Sequence, residues 1–278
     1  MIAILSRFPL SVLHALGVAI GWLSYWLSPT YRRHLRENLE LAGLAATPVR
    51  RAAIAHAGKA LMELPKLWLR PKEDVAALLV DVHGWEFVER ALAEGRGIVF
   101  LTPHLGCFEI TAMYMGARMP LTVLYRPPKQ RWMDPYMQAG RGKWMKLAPA
   151  NLSGVRELLR ALRKREAVGL LPDQVPGTGE GVWAPFFGRP AYTMTLAARL
   201  LESGAVLIST YAERLPGGAG YRLYMFAPEL PASADARARA VAINQEIERL
   251  IRLCPEQYLW GYNRYKVPSG AGQPPQAQ

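Results

Sequence analysis

A histidine and a glutamate stand five residues apart in the segment His104-Leu-Gly-Cys-Phe-Glu109. His104 follows an apolar run and a proline, so we expect it at the end of a buried strand, where open α/β sheets place their ligands. Glu109 then falls on the first turns of the next helix, from which its carboxylate can reach back to the imidazole. Such a pair predicts a general base, because the carboxylate orients the ring while its other nitrogen removes a proton from an attacking hydroxyl.

Two other interpretations of this segment stay open. Glu109 can be a capping residue at a helix start, with His104 simply hydrogen-bonded. Cys107 can be a thiol nucleophile that forms an acyl-enzyme, although a cysteine early on a helix after an apolar strand is more often a small core residue.

Positive charge is concentrated in one part of the chain. The formal net charge is +12, and residues 126–165 hold eleven Lys or Arg against two acids, which is +9 in forty residues. That stretch is expected to meet an anionic partner: nucleic acid, a membrane surface, a phosphorylated substrate or an acidic protein. Solvated helix faces explain part of the charge equally well.

The N-terminal region is apolar. Residues 10–27 are apolar around the whole helical circumference and just long enough to cross a hydrocarbon core of roughly 30 Å, or to lie half-buried in one leaflet. Trp22, Tyr25 and Trp26 cluster at the C-terminal end of this segment and arginines follow it, which predicts a cytoplasmic globular part. We therefore expect a membrane anchor in residues 1–30; a cleaved signal peptide and a buried core helix are the alternatives.

Helices and strands alternate in the rest of the chain, which indicates a single α/β domain over residues 31–268, with a mixed, mostly parallel sheet flanked by helices. Strands are expected at 98–102, 121–125, 167–171, 205–211 and 221–226. Helices are expected at 47–64, 107–118, 131–145, 153–165, 191–203 and 235–253. Residues 269–278 are Gly, Pro, Gln and Ala-rich and predict a disordered tail.

Several segments together resemble a known family. His104-Leu-Gly-Cys-Phe-Glu109 is similar to the histidine-x4-acid signature of the lysophospholipid acyltransferase superfamily, and glutamate in place of aspartate resembles the branch of late (lauroyl and myristoyl) acyltransferases of lipid A biosynthesis. The other matches, in order, are Tyr125-Arg-Pro, Gly140-Arg141, Leu171-Pro-Asp173-Gln174, Gly181-Val-Trp-Ala-Pro-Phe-Phe-Gly188 and Tyr258-Leu-Trp.

The resemblance implies roles for individual residues. His104 is similar to the base that deprotonates the acceptor hydroxyl, and Glu109 to its partner. Arg141 resembles an arginine suited to an anionic group near the oxyanion or a sugar phosphate, and Asp173 the acidic residue of a third motif. Because Asp173 ends an expected strand, it should project from the same sheet edge as His104. Candidate contacts to substrate are Arg126, Gln174 and Arg189.

These expectations converge on one activity: direct transfer of a fatty acyl chain from a thioester of acyl carrier protein, or from acyl-CoA, to a hydroxyl of a lipid A precursor at the cytoplasmic face of a bacterial inner membrane. The alternative is acylation of a lysophospholipid, and a thioesterase is a further rival. No metal or nucleotide cofactor is expected, because the histidines are scattered and no carboxylate cluster accompanies them. No nucleic-acid motif is recognisable, so nucleic acid is not an expected partner.

Overall fold

The computed structural model describes residues 2–231 and 235–275. The α-helices in that part of the chain are α1 Ile2–Leu5, α2 Leu10–Leu27, α3 Pro29–Leu41, α4 Thr47–Met62, α5 Leu64–Leu69, α6 Lys72–Ala76, α7 Trp85–Ala93, α8 Phe108–Gly116, α9 Asp134–Gly142, α10 Leu152–Arg163, α11 Leu196–Leu201 and α12 Ala236–Leu253. The strands are β1 Leu79–His83, β2 Ile98–Leu101, β3 Leu121–Tyr125, β4 Lys146–Pro149, β5 Ala167–Leu170, β6 Gly181–Phe186, β7 Arg189–Met194, β8 Val206–Arg214 and β9 Tyr221–Phe226.

Seven strands form one mixed sheet in the order β1-β9-β8-β2-β5-β3-β4. Strands β8, β2, β5, β3 and β4 run parallel to one another. Strand β9 is antiparallel to β8, and β1 runs parallel to β9. Strands β6 and β7 form a separate antiparallel hairpin. The predicted α/β class with a mostly parallel sheet is therefore confirmed.

Helices cover both faces of the sheet, because successive side chains of a buried strand point to opposite faces. In β2, Val99 and Leu101 belong to one apolar core with residues of α10, α11 and α12. Ile98 and Phe100 belong to the other core, with residues of α5, α7 and α8. The central strands are consequently buried on both sides, and their carboxyl ends open onto one edge.

The sequence prediction differs from the structure in several elements. The helix predicted at 191–203 is a strand in its first part, since β7 pairs with β6 before α11 begins at Leu196. Helix α3 and strands β1, β4 and β6 were not predicted. Strands β1 and β4 lie at the edges of the sheet, where burial is partial and the apolar pattern is correspondingly weak.

Helix α2 is long and apolar enough to cross a membrane, and a third of it is buried inside the protein. Its buried residues occupy one face that packs on α4, so the predicted N-terminal segment is packed against the α/β domain. At the other terminus, residues 269–275 carry neither helix nor strand, but Trp183 Nε1 donates to the carbonyl of Ala271 at 3.2 Å. Residues 276–278 of the predicted disordered tail lie outside the described residues.

Candidate active site

Three neighbouring parallel strands deliver the predicted site residues to one edge of the sheet. His104 follows β2, Asp173 follows β5 and Arg126 follows β3, and β5 lies between the other two strands. Because parallel strands present their carboxyl ends on the same side, residues far apart in sequence meet there. The sequence expectation that Asp173 shares this edge with His104 is confirmed.

The carboxylate that holds His104 is that of Asp173. His104 Nδ1 lies 2.8 Å from Asp173 Oδ1, and the backbone N–H of His104 donates to Asp173 Oδ2 at 2.8 Å. Asp173 is 2% exposed. Burial alone raises the pKa of Asp173, but the His104 charge and the hydrogen bonds from His104 outweigh it and hold the pKa below its usual value. An ionised Asp173 fixes the ring with Nδ1 as the donor, which leaves the lone pair on Nε2.

The side-chain amide nitrogen of Gln174 lies 3.2 Å from His104 Nε2. The ring of Phe108 packs on the imidazole, with centroids 4.8 Å apart. The side chain of His104 keeps 14% of its surface exposed. The imidazole is therefore held by Asp173 at Nδ1 and by the Phe108 ring, and Nε2 contacts the Gln174 amide, which an acceptor hydroxyl would have to replace.

Glu109 has a different partner from the one predicted. Its buried carboxylate accepts from Arg141 Nε at 3.0 and 3.1 Å, from Arg141 Nη2, and from Trp68 Nε1 at 3.3 Å. The expectation that Glu109 orients His104 is thus corrected, because Asp173 occupies that position and the first turn of α8 directs Glu109 toward α9. Glu109 and Arg141 form a nearly buried ion pair between α8 and α9.

The loop between His104 and α8 is held by backbone contacts. Gly106 adopts φ +59°, and a Cβ there would lie 1.9 Å from the carbonyl oxygen of Ala212. Gly106 N–H donates to the Gln257 carbonyl at 3.1 Å, and the His104 carbonyl accepts from Leu259 N–H at 3.1 Å. Only glycine fits this close approach, so β8 and the segment near Tyr258 determine where His104 stands.

The structure separates the two arginines predicted to contact substrate. Arg126 is exposed directly after β3, at the same sheet edge as His104. Arg189 begins β7 at the turn of the hairpin, where its guanidinium packs over the Tyr265 ring at 4.9 Å. The hairpin places Arg189 about 17 Å from the end that continues toward Gln174. The ring contact recorded for Arg189 is thus with Tyr265 and not with the histidine.

An apolar cavity lies beside the imidazole, between α8 and the strands β2, β3 and β5. Its wall includes Phe108, Ala112, Met115, Leu121 and Val123. Phe108 also contacts His104, so the cavity starts next to the candidate base. The cavity is small, about 30 Å³, which is room for about one water molecule, so a hydrocarbon chain can enter only if the lining side chains move apart.

Cys107 is 1% exposed, and burial raises the pKa of its thiol well above the usual value. A buried, protonated thiol is a poor nucleophile. The geometry thus favours the core-residue interpretation of Cys107 over an acyl-enzyme.

The sequence did not point to the charged pair that lies beneath this loop. Glu63, between α4 and α5, accepts from Arg214 Nε and Nη2 at 2.7 Å each, and both residues are 2% exposed. Arg214 Nη2 also donates to the carbonyl of Gly106 at 3.1 Å. A carboxylate within the otherwise apolar run 60–65 was the available signal, since such residues are seldom buried unless paired.

Comparisons with known proteins identify a family that this chain matches. The chain matches the family model described as bacterial lipid A biosynthesis acyltransferase over residues 1–267. It is 29% identical over 272 residues to the lipid A biosynthesis lauroyltransferase of Escherichia coli K12, with 94% of this chain and 87% of the relative covered. It is 31% identical over 269 residues to the palmitoleoyltransferase of the same strain, with the same coverage. Identity to the myristoyltransferase is 23% over 249 residues, with 87% and 77% covered.

Proposed function

The chain belongs to the family of bacterial lipid A biosynthesis acyltransferases, and we propose that it transfers a fatty acyl chain from a thioester of acyl carrier protein to a hydroxyl of a lipid A precursor. The observation that carries the proposal is the His104–Asp173 pair, and a small, mostly apolar cavity lined by Phe108 lies beside it. An acyltransferase needs both a base for the hydroxyl and a dry recess for the chain.

In the proposed reaction, His104 Nε2 takes the proton of the acceptor hydroxyl as its oxygen attacks the thioester carbonyl. Asp173 stabilises the imidazolium that forms. The tetrahedral intermediate then collapses, the carbon–sulfur bond breaks, and the imidazolium returns its proton to the leaving thiolate. The new ester and the free thiol balance the step, and no covalent acyl-enzyme forms.

Arg141 is proposed to act through its charge. Glu109 accepts from the Arg141 guanidinium and is itself held by Trp68 Nε1, so the guanidinium is preorganised. A fixed positive charge stabilises a developing oxyanion or an anionic sugar phosphate of the acceptor. In this proposal Glu109 is a positioning residue that acts through Arg141.

The exposed basic residues in 126–165 are proposed to receive the acidic carrier and the phosphorylated acceptor, with Arg126 and Gln174 closest to the reacting groups. We place the protein at the cytoplasmic face of the bacterial inner membrane, where both substrates are accessible. The thioester is the co-substrate, and the proposal invokes no metal or nucleotide.

The test is acyl transfer by the purified full-length protein from acyl carrier protein to a tetra-acylated lipid A precursor, with product masses measured. His104→Ala is expected to reduce turnover by about two to four orders of magnitude. His83→Ala, in an exposed histidine of β1, is the matched control and should retain activity. Full activity of His104→Ala would refute the mechanism. Acylation of lysophospholipid in place of the lipid A precursor would refute the acceptor, and acceptor-independent release of free fatty acid would identify a thioesterase.

A further inference from the structure

Helix α2 has two faces that differ in environment. Its buried residues are Leu10, Leu13, His14, Gly17, Gly21 and Tyr25. On the opposite side, large apolar side chains are exposed: Val12 40%, Leu16 43%, Leu23 52%, Trp26 64% and Leu27 73%. Contiguous exposed apolar surface of this kind is unusual on a monomeric soluble protein and indicates an interaction site.

The buried face is in backbone contact with the domain. A Cβ at Gly58 of α4 would lie 1.9 Å from the Gly17 carbonyl oxygen, and one at Gly21 would lie 2.1 Å from the Ile54 carbonyl oxygen. Three glycines thus let the two helices touch. Midway along this face, His14 Nε2 lies 3.4 Å from Glu63 Oε2.

Both ends of α2 are tied to the same domain. At the start, Ser11 lies against Gly218 in the turn between β8 and β9, where a Cβ on the glycine would be 2.3 Å from the Ser11 nitrogen. At the end, Tyr25 is buried in the core and its hydroxyl accepts from Arg36 Nε at 2.8 Å. Eighteen helical residues extend about 27 Å. A helix of that length cannot cross a bilayer while both of its ends contact one water-soluble domain.

Charge around the helix fits an anionic lipid surface. Residues 1–41 contain four arginines and two acids, Glu37 and Glu40; Arg7 and Arg33 are exposed at opposite ends of α2, and Arg33 lies 3.9 Å from Glu37. Basic residues that flank a helix with an exposed apolar face are typical of helices that lie in the headgroup region.

The exposed apolar surface continues toward the active site. Lys66 of α5 donates to the Phe8 carbonyl at 2.9 Å, and α5 contacts both α1 and α9. Ile4 and Phe8 are 64% and 41% exposed, and Trp132, just before α9, is 60% exposed. Since α9 also carries Arg141, this second contact lies close to the proposed site.

From these contacts we infer that α2 lies in the plane of the bilayer, on one leaflet rather than across it, and that Trp132 inserts beside it. The partner is a bilayer containing anionic lipid. This inference rests on the membrane location in the proposed function and specifies how it is achieved. Residues 2–9 then stay on the same side of the membrane as the domain.

The decisive test is the location of Ala3 relative to the domain. Full-length Ala3→Cys is expressed in bacterial inner membranes and treated with a membrane-impermeant maleimide in intact spheroplasts. A second sample is treated after detergent solubilisation and gives the total labelling. Ala117→Cys, exposed after α8, reports the domain. The unsubstituted protein gives the background, because Cys107 and Cys254 are 1% and 4% exposed.

The expected result is that Ala3→Cys is protected in spheroplasts to the same extent as Ala117→Cys. Labelling of Ala3→Cys from outside, while Ala117→Cys stays protected, means that α2 spans the membrane and overturns the inference. Acyl transfer in detergent is measured on the same variants. If the unsubstituted protein shows no acyl transfer, the proposed function is contradicted, but the labelling result still reports the position of α2.

The second contact is tested by flotation with vesicles of phosphatidylethanolamine and phosphatidylglycerol. Trp132→Ser is expected to weaken vesicle partitioning by about tenfold, because one large apolar side chain no longer enters the bilayer. Leu152→Ser removes a side chain that is 78% exposed on α10 and is the matched control. If the two variants partition equally onto vesicles, Trp132 is not part of the membrane contact.

Discussion

Asp173 Oδ1 lies 2.8 Å from His104 Nδ1, although 69 residues separate the two in the chain. The pair exists because β2 and β5 are adjacent parallel strands, in register from Ile98 with Ala167 to Leu101 with Leu170. Glu109, only five residues from His104, is bonded to Arg141 instead. Spatial order in the sheet, rather than separation along the chain, therefore selects the partner of the base.

Removing the charge of Asp173 is expected to disable the base. In Asp173→Asn the ring loses the acceptor for Nδ1–H and the anion that stabilises imidazolium, so kcat should fall by about two to four orders of magnitude. Thermal unfolding checks that the fold persists. If Glu109→Gln lowers kcat as much while Arg141→Ala leaves it unchanged, then Glu109 acts on His104 directly and the assignment to Asp173 is wrong.

Glu109 and Arg141 are expected to behave as one unit. Each single alanine substitution leaves a buried, unpaired charge, which typically costs about 3–5 kcal/mol in the free energy of unfolding. The double variant should lose clearly less than the sum of the two single losses. A double-mutant cycle by chemical denaturation measures this coupling, and additive losses would show that the ion pair contributes little.

Acyl-chain selectivity is expected to depend on the cavity beside Phe108. Ala112→Phe adds more side-chain volume than the cavity of about 30 Å³ holds and should shift transfer toward shorter chains, by about fourfold in selectivity for each methylene excluded. Ala117→Phe places the same side chain in an exposed position after the same helix and is the control. Competition among acyl carrier proteins that carry chains of different length is the measurement. An unchanged chain profile in Ala112→Phe would place the chain elsewhere.

Stability is expected to fall in mild acid because of His56. Burial and the nearby Arg214 charge lower the pKa of His56 from 6.5 to about 3. The unfolded chain therefore binds a proton that the folded chain does not, so stability is lost as the pH falls below about 6.5. At pH 5 the loss from this residue is up to about 2 kcal/mol.

His56→Asn keeps an acceptor for Arg214 and does not titrate, so its melting temperature should change less than that of the wild type between pH 7 and pH 5. His34→Asn is the control and should follow the wild type. Glu63 accounts for a second loss of stability in acid. Burial raises the pKa of its carboxyl, but the charge and hydrogen bonds of Arg214 outweigh burial and lower the pKa to about 2. That contribution disappears only as the pH falls from about 4.5 toward 2. Identical pH profiles for His56→Asn and wild type would contradict the first assignment.

Close approach of α2 and α4 is expected to tolerate no side chain at Gly58. Gly58→Ala places a Cβ 1.9 Å from the Gly17 carbonyl oxygen, and overpacking of this kind costs about 1–3 kcal/mol. Gly142→Ala, where a Cβ meets nothing within 4 Å, is the matched control and should not destabilise. Differential scanning calorimetry of the two variants provides the comparison. Equal melting temperatures would mean that α2 is not packed as described.

The sequence by itself determined the α/β class, most of the central strands and the position of His104 at a strand end. These features follow from local patterns: apolar runs of strand length, helical periodicity and a polar residue directly after a buried strand. The motifs also indicated the family, and they singled out Asp173 and Gln174, both of which contact the histidine.

Tertiary structure alone decided which of these residues touch. Two carboxylates were available to His104, and only strand order shows that Asp173 reaches Nδ1 while Glu109 is drawn to Arg141 and Trp68. The pair of Glu63 and Arg214 was likewise hidden, because 151 residues separate its members. The exposed and buried faces of α2 could not be assigned from a segment that is apolar all round, since only packing against α4 distinguishes them. Contacts between distant segments depend on chain topology, which local residue patterns do not encode.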